Sequence, residues 1–195
     1  MIDPAQFTKD LIRCPSVTPK DAGALGVLEK ALGELGFKCT RLPFSADGTP
    51  DVDNLYARLG TEPPHFCYAG HTDVVPVGAL EDWDFDPFLG EEKDGIIYGR
   101  GTSDMKGGIA AFVSAVSGFV KQNADFKGSI SFLITGDEEG PAINGTVKML
   151  EWLRDNSEVP DICLVGEPTN LDVIGDMAKI GRRGSINTTL TVNGA

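Results

Sequence analysis

Four short clusters of acids, one of them carrying a histidine, hold the side chains of this sequence that could do chemistry. Gly70-His71-Thr72-Asp73 follows the apolar run 66–69. Its histidine and aspartate stand two apart, so on an extended segment both side chains point the same way. That pair suits a zinc ion, because the imidazole ligates while the acid fixes its tautomer and raises its basicity. The segment 99–108 holds Asp104 where a strand meets a long helix. There an aspartate either caps the helix or, with its two oxygens, bridges two cations. Gly136-Asp137-Glu138-Glu139-Gly140 sets three successive acids after the run 129–135, and their repulsion calls for a positive group nearby. A solvated turn is the alternative for Asp137. Gly166-Glu167-Pro168-Thr169 follows the run 161–165. Each cluster alone reads as a polar turn or cap. Together they recur at strand ends, where α/β proteins place ligand sites.

Other chemistries fit less well. The glycines of 99–108 lack the GxxxxGK[ST] order of a phosphate loop. Cys14, Cys39, Cys67 and Cys163 form no CxxC pair, which excludes a zinc ribbon and leaves buried, reduced thiols as the expectation. His65 falls at the opposite end of its strand from His71 and reads as structural. The net charge of −12 argues against nucleic acid or an anionic membrane as partner. No apolar run reaches the length of a bilayer span, and the first residues lack a signal-peptide pattern, so a cytoplasmic location is expected.

The elements that must position these clusters follow from periodicity. At 195 residues, with 41% hydrophobic and 24% charged, the chain has room for one globular domain with a real core. Asp3-Pro4 opens a helix through Phe7, Leu11 and Ile12. Thr18-Pro19 repeats that signal before a helix with Leu25, Leu28, Leu32 and Leu35 on one face, ending at Gly36. Strand-like runs occupy 37–42, 54–59, 66–69 and 95–98. A long helix spans 105–121, with Ile109, Phe112, Val113, Val116 and Val120 at helical spacing. The run 129–135 is an apolar strand, 147–153 is helical, and 161–165 reads as a further buried strand. Strands alternating with amphipathic helices predict an α/β layer fold with a largely buried sheet. After Lys179 the pattern changes: Ile186, Thr188, Leu190 and Val192 alternate as in a two-faced antiparallel strand, the entrance to a second domain.

At these clusters the sequence closely resembles the M20 family of co-catalytic metallopeptidases and deacylases. The segments that carry the resemblance are GHTDVVP from Gly70, YGRGTSDMKGG from Tyr98, ITGDEEGPAINGT from Ile134, VGEPT from Val165 and KIGRRGS from Lys179. The resemblance implies a zinc-dependent amide hydrolase acting on a small-molecule N-acyl amino acid, with two zinc ions per complete site and cobalt tolerated. His71 would ligate one zinc together with Glu167, Asp104 would bridge both, and Glu139 would bind the second. Asp73 would orient His71, and Glu138 would be the general base. The peptide after Asp104 is often cis in such proteins. The implied fold is α/β, a mixed, largely buried sheet flanked by helices as in zinc peptidases, truncated at the start of a second, α+β dimerisation domain. Residues 1–180 would form the N-terminal part of the catalytic domain and 181–195 the first strand of the inserted one. Full-length members are expected to be homodimers. A histidine for the second zinc would come from a later segment, since this chain holds only His65 and His71.

Overall fold

The apolar run Ser-Ile-Ser-Phe-Leu-Ile-Thr forms β6 (Ser129–Thr135), the central strand of a five-stranded sheet. β6 pairs in parallel with β3 (His65–His71) and antiparallel with β2 (Leu55–Leu59). β1 (Lys38–Arg41) lies beyond β2 and β7 (Ile162–Val165) beyond β3, giving the order β1-β2-β6-β3-β7. The register sets His71 opposite Thr135 and Ala69 opposite Val165. Because β3, β6 and β7 run in parallel, their C-terminal ends lie along one edge of the sheet, and three of the four clusters leave the sheet there. These relations come from a computed structural model that describes residues 1–181, 184 and 188–194.

Alternation along the strands divides the core between two faces. Tyr68, Phe132 and Ile134 pack with Leu11 of α1 (Pro4–Ile12), Leu28 of α2 (Ala24–Glu34) and Val113 of α3 (Gly107–Gln122). Tyr56, Cys67 and Leu133 face the other way, against Met149 and Leu153 of α4 (Thr146–Asp155). The expected mixed sheet flanked by helices is therefore present.

Local chemistry explains where boundaries moved. α1 begins as expected, with the Asp3 carboxylate accepting from the N–H groups of Ala5 and Gln6 and proline at the first helical position. α2 does not begin at Thr18-Pro19, which lies in a turn. It starts at Ala24 because the Asp21 carboxylate accepts from the backbone of Gly23 and Leu25. The regular part of α3 starts at Gly107, after an irregular turn over Thr102–Lys106 in which Asp104 has φ −125° and ψ 97°. Asp104 makes no cap, so that reading falls. The run 95–98 forms β5 (Ile96–Tyr98), which belongs to a separate hairpin with β4 (Glu91–Lys93).

β7 was expected to be buried. Among the described residues it has β3 on one side only, and Ile162 is 58% exposed. The expectation of buried thiols fails there too: Cys14 and Cys67 are buried, Cys39 is partly buried and Cys163 is exposed, all four free. Ile186 of the expected two-faced strand lies outside the described residues, and residues 188–194 have no regular secondary structure. Among the described residues no helix is long and apolar enough to cross a membrane.

Phe132 sits among Phe37, Tyr68 and Phe112, with ring centroids 5.5, 5.9 and 5.3 Å away. Phe132→Ala should lower the unfolding free energy by about 3–5 kcal/mol, the range for a large aromatic removed from a packed core. Ile162→Ala at the exposed edge should cost under about 0.5 kcal/mol. Denaturant midpoints of the two variants that coincide would contradict this placement of the core.

Candidate functional site

β3 ends at His71, and the backbone after it turns under the sheet edge through Thr72 and Asp73, both buried. His71 itself is 1% exposed. Its Nδ1 lies 2.9 Å from the Asp73 carbonyl oxygen and 3.5 Å from Asp73 Oδ1. Held from that side, the ring points Nε2 at three carboxylates: Asp104 Oδ1 at 3.0 Å, Glu167 Oε1 at 3.7 Å and Glu138 Oε2 at 4.0 Å.

Asp73 does more than face the imidazole. Both of its carboxylate oxygens accept from the Glu138 backbone N–H at 3.2 Å, and Oδ2 also accepts from the Glu139 N–H at 3.0 Å. A carboxylate with a fully buried side chain needs such donors, because desolvating it unpaired is costly. The loops after β3 and β6 are thereby tied together.

The three acids of the β6 loop have separate fates. Asp137 is buried, not in a solvated turn, and accepts from the backbone N–H groups of Ala142, Ile143 and Asn144. Glu138 is exposed and Glu139 partly buried, both beside the cluster. Burial pushes the Glu139 carboxyl above the usual range, and the charges of Asp104, Glu138 and Asp73 push the same way against the opposing His71. That is the positive-group deficit anticipated for three successive acids.

Asp104 arrives from outside the main sheet, on the turn between β5 and α3. Its side chain is 51% exposed, while Met105 and Lys106 beside it are fully buried. Met105 Sδ accepts the His71 N–H at 3.3 Å. The Asp104–Met105 peptide is cis, as the resemblance implied.

Two sets of donors lie close enough to share a metal ion: His71 with Glu138 and Glu167, and His71 with Asp104 and Glu139. One imidazole with hard carboxylate oxygens suits a divalent cation. All six residues singled out in the sequence therefore meet at one place. The structure groups Glu138 with His71 and Glu167, where the resemblance pairs those two with Asp104.

Sequence reasoning missed the supports. Lys106 is fully buried and its Nζ donates to the carbonyls of Leu11 and Cys14 at 3.0 and 2.8 Å, fastening the end of α1 to the Asp104 turn. Burial lowers its ammonium to about 8. Asn54 accepts from Thr135 Oγ1 and the Gly136 N–H while donating to the carbonyls of Leu42 and Asn144. Asn54 and Asn144 carry no spacing that would have marked them. Lys106 stood inside a quoted motif, but nothing in the sequence showed its burial.

An α/β layer with a histidine and acids gathered at one sheet edge is an arrangement that can hold divalent metal ions. Residues 67–192 match the profile of Peptidase family M20/M25/M40. The chain belongs to that family, whose members and structural neighbours imply a divalent metal. It is 62% identical to a succinyl-diaminopimelate desuccinylase of Parvibaculum lavamentivorans over 98% of its length and 48% of that protein's. A second succinyl-diaminopimelate desuccinylase, from Rhodospirillum centenum, is 61% identical over 99% of this chain and 50% of its own. The chain thus spans about half the length of the curated relatives it matches. Among solved structures it resembles human carnosine dipeptidase 1, with a TM-score of 0.72 at 27% identity, over 83% of this chain and 38% of that one.

In the metal-free chain, burial alone would lower the His71 pKa, but the hydrogen bonds and charge of Asp73 outweigh it and lift the value from 6.5 to about 9. A pKa raised on folding contributes stability in full below about pH 6.5, and that contribution is lost as pH rises through about 9. Imidazole NMR of the metal-free protein should therefore find His71 cationic at pH 7. Asp73→Asn should bring its titration back down. A wild-type midpoint at or below 6.5 would refute the assignment.

Proposed function

We propose that this chain is the N-terminal metal-binding part of a zinc-dependent amide hydrolase that converts N-succinyl-LL-2,6-diaminopimelate and water to succinate and LL-2,6-diaminopimelate. The observation that carries the reading is the convergence of Asp104, Glu138 and Glu167 on His71 Nε2 while Asp73 holds the opposite nitrogen. The choice of acyl group rests on the identity of 62% to a protein of that name, and on the DEEGPAINGT and GRRGS stretches of the sequence.

His71 and Glu167 would hold one zinc, Asp104 would bridge, and Glu139 would hold the second together with a histidine from outside this chain. Bound there, divalent zinc lowers the pKa of water and polarises a carbonyl. An aspartate suits the bridging place, because its negative charge offsets two facing dications. Glu138 is 44% exposed beside the cluster and carries its carboxylate within reach of a water there. It accepts the proton of the attacking water and delivers it to the leaving amine nitrogen. Asp73 fixes the backbone that carries Glu138, which sets where the carboxylate of the base sits. The whole protein would act on a small molecule and would be a homodimer in the cytoplasm.

Glu138→Gln in the full-length protein should leave zinc content unchanged while turnover falls by about 10²- to 10⁴-fold, the usual contribution of a positioned general base. Turnover that survives would remove Glu138 from that role. The zinc-loaded protein should also prefer N-succinyl-LL-diaminopimelate to N-acetylornithine by roughly 100-fold or more in kcat/KM, as sites built for an extra polar group do. The reverse preference would keep the family and discard the substrate.

A further inference from the structure

Arg100 stands four residues before Asp104 and lines, with Trp83, Tyr98, Asp104 and Glu139, a cavity of about 560 Å³. One end of this cavity is thus the acid cluster and another part is a cation with an aromatic wall. Arg100 is held at both its backbone and its side chain. Its backbone N–H donates to the Pro87 carbonyl at 2.8 Å. Its guanidinium carbon lies 5.1 Å from the centre of the Trp83 ring, and the indole N–H is itself fixed on the Val77 carbonyl at 2.9 Å.

The hydrogen-bonding capacity of this arginine is almost unspent. A guanidinium carries five N–H donors. Among the described residues its side chain makes one hydrogen bond, a long one of 3.5 Å from Nη2 to the Pro76 carbonyl, and no ion pair. Its Nε is buried without an acceptor. Buried donors are nearly always satisfied, so the buried Nε of this partly exposed arginine, held beside a candidate active site, needs an account. The other arginines with a buried donor lacking an acceptor, Arg41 and Arg58, each have a carboxylate partner. Asp104 and Glu139 line the same cavity but sit where a cation would occupy them.

We propose that Arg100 is a substrate-binding residue of this site, and that its guanidinium pairs with a carboxylate of the N-acyl amino acid. The proposal rests on the hydrolase reading above and adds which group of the chain recognises the substrate's charge. A planar fork matches a carboxylate with two parallel hydrogen bonds, which a lysine cannot reproduce. Trp83 supplies the flat apolar backing that keeps the fork in one orientation. A succinylated amino acid offers carboxylates on both sides of the scissile amide, and either could be the partner.

The test uses the zinc-loaded full-length protein and two variants, Arg100→Met, which keeps an apolar stem without the charge, and Arg100→Lys, which keeps charge without the fork. Three substrates are compared: N-succinyl-LL-diaminopimelate, its analogue with the succinyl carboxylate replaced by a primary amide, and an analogue amidated at both diaminopimelate carboxylates. Arg100→Met should lower kcat/KM on the parent by about 10- to 100-fold, chiefly through KM, and Arg100→Lys should recover part of it. On the analogue lacking the recognised carboxylate the variant should match wild type, which also tells the succinyl side of the amide from the diaminopimelate side. Equal losses on all three substrates, or none, would overturn the proposal. Should Arg100→Met fail to fold, the same ratios in Arg100→Lys decide. If wild type hydrolyses none of the three, the reaction assigned above falls, and calorimetric binding of succinate decides for Arg100 alone. Binding at least 10-fold weaker in the variant sustains the carboxylate role; binding by both equally, or by neither, ends it.

Discussion

A single buried carboxylate, that of Asp73, couples the two halves of the candidate site. It lies past the end of β3 with no exposed side-chain surface, so its charge must be met by the protein. The donors are the backbone N–H groups of Glu138 and Glu139 from the loop after β6, together with the His71 ring. Parallel pairing of β3 with β6 brings these loops to the same edge, and the carboxylate then locks them in register. The aim of Glu138 and the placement of Glu139 follow from this carboxylate satisfying its own hydrogen bonds, while the backbone carbonyl of the same residue holds the ring that points Nε2.

That constraint sorts the acids into two kinds. Asp73 and Asp137 are buried and spend their oxygens on backbone N–H groups. Asp104, Glu138, Glu139 and Glu167 are less buried and surround the imidazole or one another. The first kind builds loops and the second kind repels itself. Stability of the second arrangement requires positive charge, and a single imidazole, His71, faces all of these acids.

Much of the architecture was legible because hydrophobic period and length agreed. The run 129–135 became β6 with the same ends, and the helical spacing through Ile109, Val113 and Val116 became α3. The failures have local causes. Asp21, not Thr18, supplies the acceptor that opens α2, and an aspartate two residues from a proline turn gives no unique signal. An apolar run does not say how many neighbours a strand will have, so β7 read as buried when it lies at an edge. The distinction between Asp137 and its neighbours was illegible for a similar reason, since one residue type serves both as a backbone acceptor and as a site acid. The positions meeting at His71 were visible as strand-end clusters; their individual roles came from resemblance.

The half-exposed Asp104 shows how such a site can be rigid without being buried. Its neighbours Met105 and Lys106 are fully buried, one in the main core and the other on the carbonyls that end α1. Met105 also packs beneath β3, where a Cβ added at Gly70 would come within 2.8 Å of Met105 Cε. Gly166 makes a comparable approach, since a Cβ there would overlap the Tyr68 hydroxyl beside Glu167. Both glycines let backbone that carries the acids lie directly on core side chains. Packing interiors resist small displacements because they are already dense. The positions of Asp104 and Glu167 are therefore set by the core beneath them, while their carboxylates face His71 Nε2.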